Sequence, residues 1–244
     1  MSGPVALVGS GEYLPVLASV EAALIEGRAP RYVQLATAAA PEGRAVLQRW
    51  HDLGADAARR LGVEQVIVDV VDGESANDPS HAALIAGAGL IYLSGGNPMY
   101  LTDALRGSLV WAAILHAWQG GAALAGCSAG AMTLGASFPD VRRPWRPAMT
   151  ALGVVPAIEV LPHFDAFAAR MPDLVLRRVS GAPEGVQVVG IDEDTALVTG
   201  LDELSDGLAA GAWRVLGRRS VWLLGPHGRE EYPAGRVVQL PAPL

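Results

Sequence analysis

Gly126, Cys127, Ser128, Ala129 and Gly130 stand together in the run AALAGCSAGAMTLGA, residues 122–136. A serine hydroxyl attacks a carbonyl only when a base takes its proton and donors receive the developing oxyanion. The spacing Gly126-x-Ser128-x-Gly130, between an expected strand and an expected helix, matches a nucleophile elbow. In such a turn the backbone bends so sharply that positions two residues to either side must be nearly bare. Centring the elbow on Cys127 would put Ala125 and Ala129 at those positions, so the spacing selects Ser128. With 29 glycines in the chain the pattern also arises by chance, and close packing of a small-residue helix start is the competing reading.

The remaining parts of such a site have candidates. The Ala129 amide, at the helix start, is one oxyanion donor. SGGN, residues 94–97, ends a neighbouring expected strand, where Gly95 and Gly96 can turn a second N–H outward with no side chain in the way. Asn97, next in that loop, is assigned to substrate binding. His51, His81 and His116 fall in expected helical or connecting segments. His163, in EVLPHFDAF, closes an apolar strand-like run just before an expected helix and suits a general base. His227 lies in the Pro/Gly turn LLGPHGRE.

For an acid to orient the base, VVGIDEDTALV offers Asp192, Glu193 and Asp194. Strand alternation places Glu193 on the face of Val189, Ile191 and Leu197. A carboxylate there is costly unless paired, and an imidazole would pair it; a solvated acidic turn is the alternative. An α/β-hydrolase order of serine, acid and His227 is a further arrangement, but it requires an HGGG-type loop that the sequence lacks.

The composition narrows the classes. At 244 residues, 51% hydrophobic and 18% charged, the chain suits one α/β domain spanning residues 1–244. A net charge of −7 leaves no basic footprint for nucleic acid. No run approaches the roughly 18 apolar residues of a membrane span, and the first residues carry no leader pattern, so a cytoplasmic location without membrane partners is expected. Cys127 is the single cysteine, which excludes an intrachain disulfide. The chain has no lysine, which removes Schiff-base chemistry and a P-loop lysine. The histidine spacing contains no HExxH, so neither metal nor cofactor is expected.

These residues need a scaffold. Apolar runs at 5–10, 32–38, 65–71, 90–96 and 122–128 alternate with stretches of helical length. That alternation predicts an α/β fold with a mostly parallel, doubly wound sheet, whose ligands bind at the carboxyl ends of the strands. SGG and GCSAG fall at such ends. Beyond residue 150 the sequence predicts a helix over 165–179 and closely spaced antiparallel strands, while FPDVRRPWRP, residues 138–147, reads as a surface loop.

Five blocks in order, LATAAAPEG, GLIYLSGGNPMYLTDALRG, AWQGGAALAGCSAGAM, LPHF and GIDEDTALV, span about residues 32–199. With them the chain resembles the cyanophycinase and aspartyl dipeptidase (peptidase E) family of serine peptidases, whose fold is similar to class I glutamine amidotransferases. The resemblance implies Ser128 as nucleophile, His163 as base, Glu193 as orienting acid, and the Gly96 and Ala129 amides as oxyanion hole. It departs at Pro98, where the family pattern has a glutamine, and at HFDAFAARM, where it has an arginine-rich run. A small peptide or acyl substrate is therefore expected in place of cyanophycin. An acidic residue beside the scissile bond would need a cation, and Arg170, seven residues after His163, is the candidate, with Arg142, Arg143 and Arg146 as weaker ones. A homodimer and a catalytically idle binding relative complete the set of expectations.

Overall fold

Five parallel strands build the centre of the molecule, and all but the edge strand are mostly buried runs, as expected of strands covered on both faces. They are β1 (Val5–Val8), β2 (Arg31–Leu35), β3 (Glu64–Ile67), β4 (Leu90–Leu93) and β5 (Ala123–Cys127), parallel in the order β1-β5-β4-β2-β3. Every residue of β1, β4 and β5 is buried. Successive residues of β1 serve opposite cores: Val5 and Leu7 pack with Leu124, Trp118 and Ile158, whereas Ala6 and Val8 pack with Tyr13, Tyr32 and Tyr92. The computed structural model describes residues 2–139, 148–168, 182–201, 211–225 and 228–244.

Helices α1 (Ala18–Ile25), α2 (Arg44–Leu61), α3 (Pro79–Ala83), α4 (Pro98–Leu105), α5 (Leu109–Gln119) and α6 (Ala129–Leu134) connect and cover these strands. Register brings the strand ends level: Val8 lies opposite Cys127, and Leu93 opposite Gly126. The loops after β1, β4 and β5 therefore emerge side by side.

The remaining strands are β6 (Ser137–Phe138), β7 (Met149–Thr150), β8 (Ile158–Leu161), β9 (Gln187–Ile191), β10 (Thr195–Thr199), β11 (Ala212–Gly217), β12 (Ser220–Gly225), β13 (Gly228–Pro233) and β14 (Val237–Gln239). Of these, β10, β11 and β14 extend the main sheet, β10 antiparallel to β1, β11 to β10 and β14 to β11, as expected. Among the other described pairs, β6–β7, β9–β12 and β12–β13 are antiparallel as well, and β8–β9 alone departs from the expectation. A second sheet has the order β13-β12-β9-β8, and its β8–β9 pair is parallel because the chain returns through residues 162–186 before laying down β9. Within residues 165–179 the described part forms one helical turn, Phe164–Ala168, and the rest lies outside the described residues, as does most of the 138–147 segment. Phe138 belongs to β6 and is buried. Among the described residues no helix is long and apolar enough to cross a membrane.

Candidate active site

The elbow is built by close approach. Ser128 has φ 51° and ψ −110°, a conformation that side chains rarely adopt, and its amide donates to the Val8 carbonyl at 2.9 Å. A Cβ on Gly126 would stand 2.5 Å from the Gly130 carbonyl carbon, because α6 doubles back over the strand it follows. A Cβ on Gly130 would collide with the Leu93 carbonyl on β4. Both glycines are thus required by packing, and that packing leaves Ser128 partly exposed. Cys127 points the other way: it is fully buried, its Sγ donates to Glu12 Oε2 at 2.8 Å, and burial, then the Glu12 carboxylate, pushes its thiol well above the usual range.

His163 follows β8 and Pro162 with φ 49°, which aims its ring across to the main sheet. Its Nε2 lies 3.0 Å from Ser128 Oγ, and its Nδ1 lies 3.1 Å from Glu193 Oε1. Glu193 corrects the alternation argument. It sits in the turn between β9 and β10, not within a strand, and its side chain is 38% exposed; the buried member of the triplet is Asp192. Asp192 accepts from the Ser220 amide at 3.1 Å and from Trp222 Nε1 at 3.0 Å, and burial raises its carboxyl above the ordinary value. Asp194, at φ 56°, pairs with Arg218 at 3.7 Å.

What holds Glu193 was not evident from the sequence. Asp165, two residues after His163, accepts from the Glu193 amide at 2.9 Å and is ion-paired to Arg219. Thr195 Oγ1 donates to the Glu193 carbonyl at 3.1 Å and accepts from the Arg219 amide at 3.0 Å. His163 and Glu193 are thereby fixed to one another through the Asp165 side chain and the Glu193 main chain.

In the loop after β4, Gly96 has φ 138°, and a Cβ there would strike the Ala38 carbonyl. Asn97 is the N-cap of α4: its Oδ1 accepts from the Tyr100 amide at 3.1 Å, and Pro98 takes the first helical position. The substrate role expected for Asn97 thus falls on a residue already engaged in a cap, although it also lines a cleft of about 480 Å³ beside Gly96. Its walls include Met99, Phe138 and Met149, with Glu42 at the rim. Arg170, Arg142, Arg143, Arg146 and His227 lie outside the described residues. His51, His81 and His116 are in α2, α3 and α5, away from these strand ends. The described residues contain no His, Cys, Asp and Glu cluster suited to a metal ion.

A hydroxyl, an imidazole and a carboxylate in line, on a strand–helix elbow, define the constellation of serine hydrolases. Comparison with known proteins agrees in kind. Residues 45–205 match peptidase family S51, and the chain belongs to that family. It is 32% identical over 197 residues to cyanophycinases of Synechococcus elongatus and Thermosynechococcus vestitus, covering 77% of this chain and 56% of each relative. The chain thus spans little more than half the length of these curated relatives. A crystal structure of a peptidase from an acI-B1 actinobacterium is similar over 98% of both chains, at 37% identity and a TM-score of 0.88. A putative peptidase E protein from Listeria monocytogenes shares the fold, with a TM-score of 0.56 at 17% identity over 82% of this chain and 95% of its own.

Proposed function

We propose that the chain is a serine peptidase that cleaves short peptides through an acyl-enzyme. The observation that carries the reading is the relay Ser128 Oγ, His163 Nε2 and Nδ1, Glu193 Oε1, at 3.0 and 3.1 Å, on an elbow. In this mechanism His163 removes the Ser128 proton as Oγ bonds to the scissile carbonyl carbon. The oxyanion is received by the Gly96 and Ala129 amides. His163 then gives its proton to the leaving amine as the C–N bond breaks, and water, deprotonated by the same imidazole, releases the acyl group. Glu193 keeps the imidazole oriented and stabilises its protonated form.

Intact-mass measurement after fluorophosphonate treatment tests the assignment. One adduct is expected, absent in Ser128→Ala and slowed at least 100-fold in His163→Ala; undiminished labelling of Ser128→Ala rejects it. The substrate proposed is one with an acidic residue beside the scissile bond, held by Arg170, which lies seven residues after His163 in the sequence. Matched Asp-x and Ala-x dipeptides decide this point, since equal kcat/KM removes the acidic preference and leaves the serine mechanism standing. Binding without catalysis has no observation in its favour.

A further inference from the structure

The loop after β1, residues 9–14, has no part in the reading above, yet it lies directly beneath the site. Glu12 is only 6% exposed. Its Oε1 accepts from the Gly95 amide at 3.0 Å and its Oε2 accepts from Cys127 Sγ at 2.8 Å. One carboxylate therefore joins the loop proposed to hold the oxyanion to the residue that precedes the nucleophile. The space is fitted to this contact: a Cβ on Gly95 would lie 3.0 Å from Glu12 Oε1 and 3.4 Å from Ser128 Cβ. The neighbouring residue repeats the attachment, with Tyr13 Oη and Ser94 Oγ sharing a hydrogen at 2.6 Å.

Taken in turn, the amides of this loop are committed with one exception. Ser94 donates to the Leu35 carbonyl at 3.0 Å, Gly95 to Glu12, and Asn97 to the Ala38 carbonyl at 2.8 Å. Among the described residues no acceptor is paired with the Gly96 amide. Two consecutive glycines have no side chain to choose which peptide unit turns outward, so the choice has to be imposed by a partner. We propose that Glu12 is a positioning residue for the oxyanion hole: by drawing the Gly95 N–H inward it presents the Gly96 N–H to the substrate carbonyl, and through Cys127 it ties that donor to the elbow. The inference rests on the serine-peptidase reading.

Reach and charge are separable here. In Glu12→Gln the side-chain oxygen still accepts from Gly95, and the amide nitrogen can donate to Cys127 Sγ. In Glu12→Asp the charge stays, but the side chain is one carbon too short to span both partners. Fluorophosphonate labelling rates should fall at least 30-fold in Glu12→Asp and return to within threefold of wild type in Glu12→Gln, since loss of one oxyanion donor costs about 10²–10³ in rate. A wild-type rate in Glu12→Asp, or equal losses in both variants, overturns the proposal.

Amide exchange followed by NMR on the unmodified wild-type protein supplies a test that needs no variant to fold. Gly95 should be protected and Gly96 exposed, with Gly96 becoming protected once the phosphonyl adduct forms. A freely exchanging Gly95 or a Gly96 already protected in the free protein overturns it as well. Labelling that survives in Ser128→Ala would instead remove the underlying serine reading, which makes the two failures distinct.

Discussion

Ser128 occupies its strained conformation because its neighbours leave no other path, and the two flanking glycines are the means. The elbow was legible for that reason: a steric requirement at fixed offsets writes itself into the sequence as Gly126 and Gly130. Glu12 was not legible. Its contact with Gly95 joins residues 83 apart, which no local pattern records. The one clue was its place in a glycine-bearing loop after a parallel strand, where ligands bind. Gly126→Ala tests the steric account, because the added methyl meets main chain that cannot rotate away. We expect a destabilisation of about 1–3 kcal/mol, typical of overpacking, and at least tenfold slower fluorophosphonate labelling. Thermal melts and labelling rates check it, and wild-type values for both would show that the elbow tolerates a side chain.

Helix α1 carries a group that the periodicity of its sequence gave no reason to notice. Glu21 is fully buried, and its Oε1 accepts from the Tyr13 amide at 3.1 Å and from the Tyr32 hydroxyl at 3.2 Å. Burial is the main cause that pushes its carboxyl up to about 7. A raised carboxyl pKa means that the folded protein binds this proton more tightly than the unfolded chain does. The resulting stabilisation is complete below the unfolded value near 4.5, declines as pH rises, and is gone above about 7. Over that window it amounts to on the order of 3 kcal/mol. Glu21→Gln keeps an accepting oxygen for Tyr13 and Tyr32 and removes the titration. Its melting temperature at pH 8 should exceed wild type by about 5 °C or more, given roughly 2–4 °C per kcal/mol in a chain of this size, and the gap should close toward pH 4.5. A constant difference across pH would assign the burial cost to another group. Because Tyr13 also holds Ser94, this element supports the loop after β4 from below.

At the scale of the whole molecule, the site is a joint between two sheets. Ser128 and Gly96 come from the ends of β5 and β4 in the main sheet, and His163 comes from the end of β8 in the second. The chain crosses from one sheet to the other between β9 and β10, and Glu193 lies in that crossing. Four of the five parallel strands were legible because burial on both faces yields nearly continuous apolar runs, and the exposed edge strand β3 because the apolar run 65–71 overlaps it. The second sheet was not, since its strands have similar runs and their pairing is set by where the intervening chain returns. A change confined to the second sheet should therefore separate His163 from Ser128 while the main sheet stands. Gly190 on β9 packs against the ring of Phe164, where a Cβ would lie 2.5 Å from Cγ, and Phe164 immediately follows His163. Phe164 is itself fixed by Trp222, with ring centroids 5.8 Å apart, so it cannot yield without moving the turn that carries His163. Cys127, fully buried in β5, reports on the main sheet, because a thiol reagent reaches it only when that sheet opens. In Gly190→Ala we expect fluorophosphonate labelling of Ser128 to fall at least tenfold, while Cys127 stays unreactive to Ellman's reagent under native conditions. In a urea titration of the wild type, labelling should likewise be lost at a lower concentration than the one that exposes Cys127. Coincident loss of labelling and thiol protection in both experiments would mean that the two sheets open as one unit and that the joint has no independent motion.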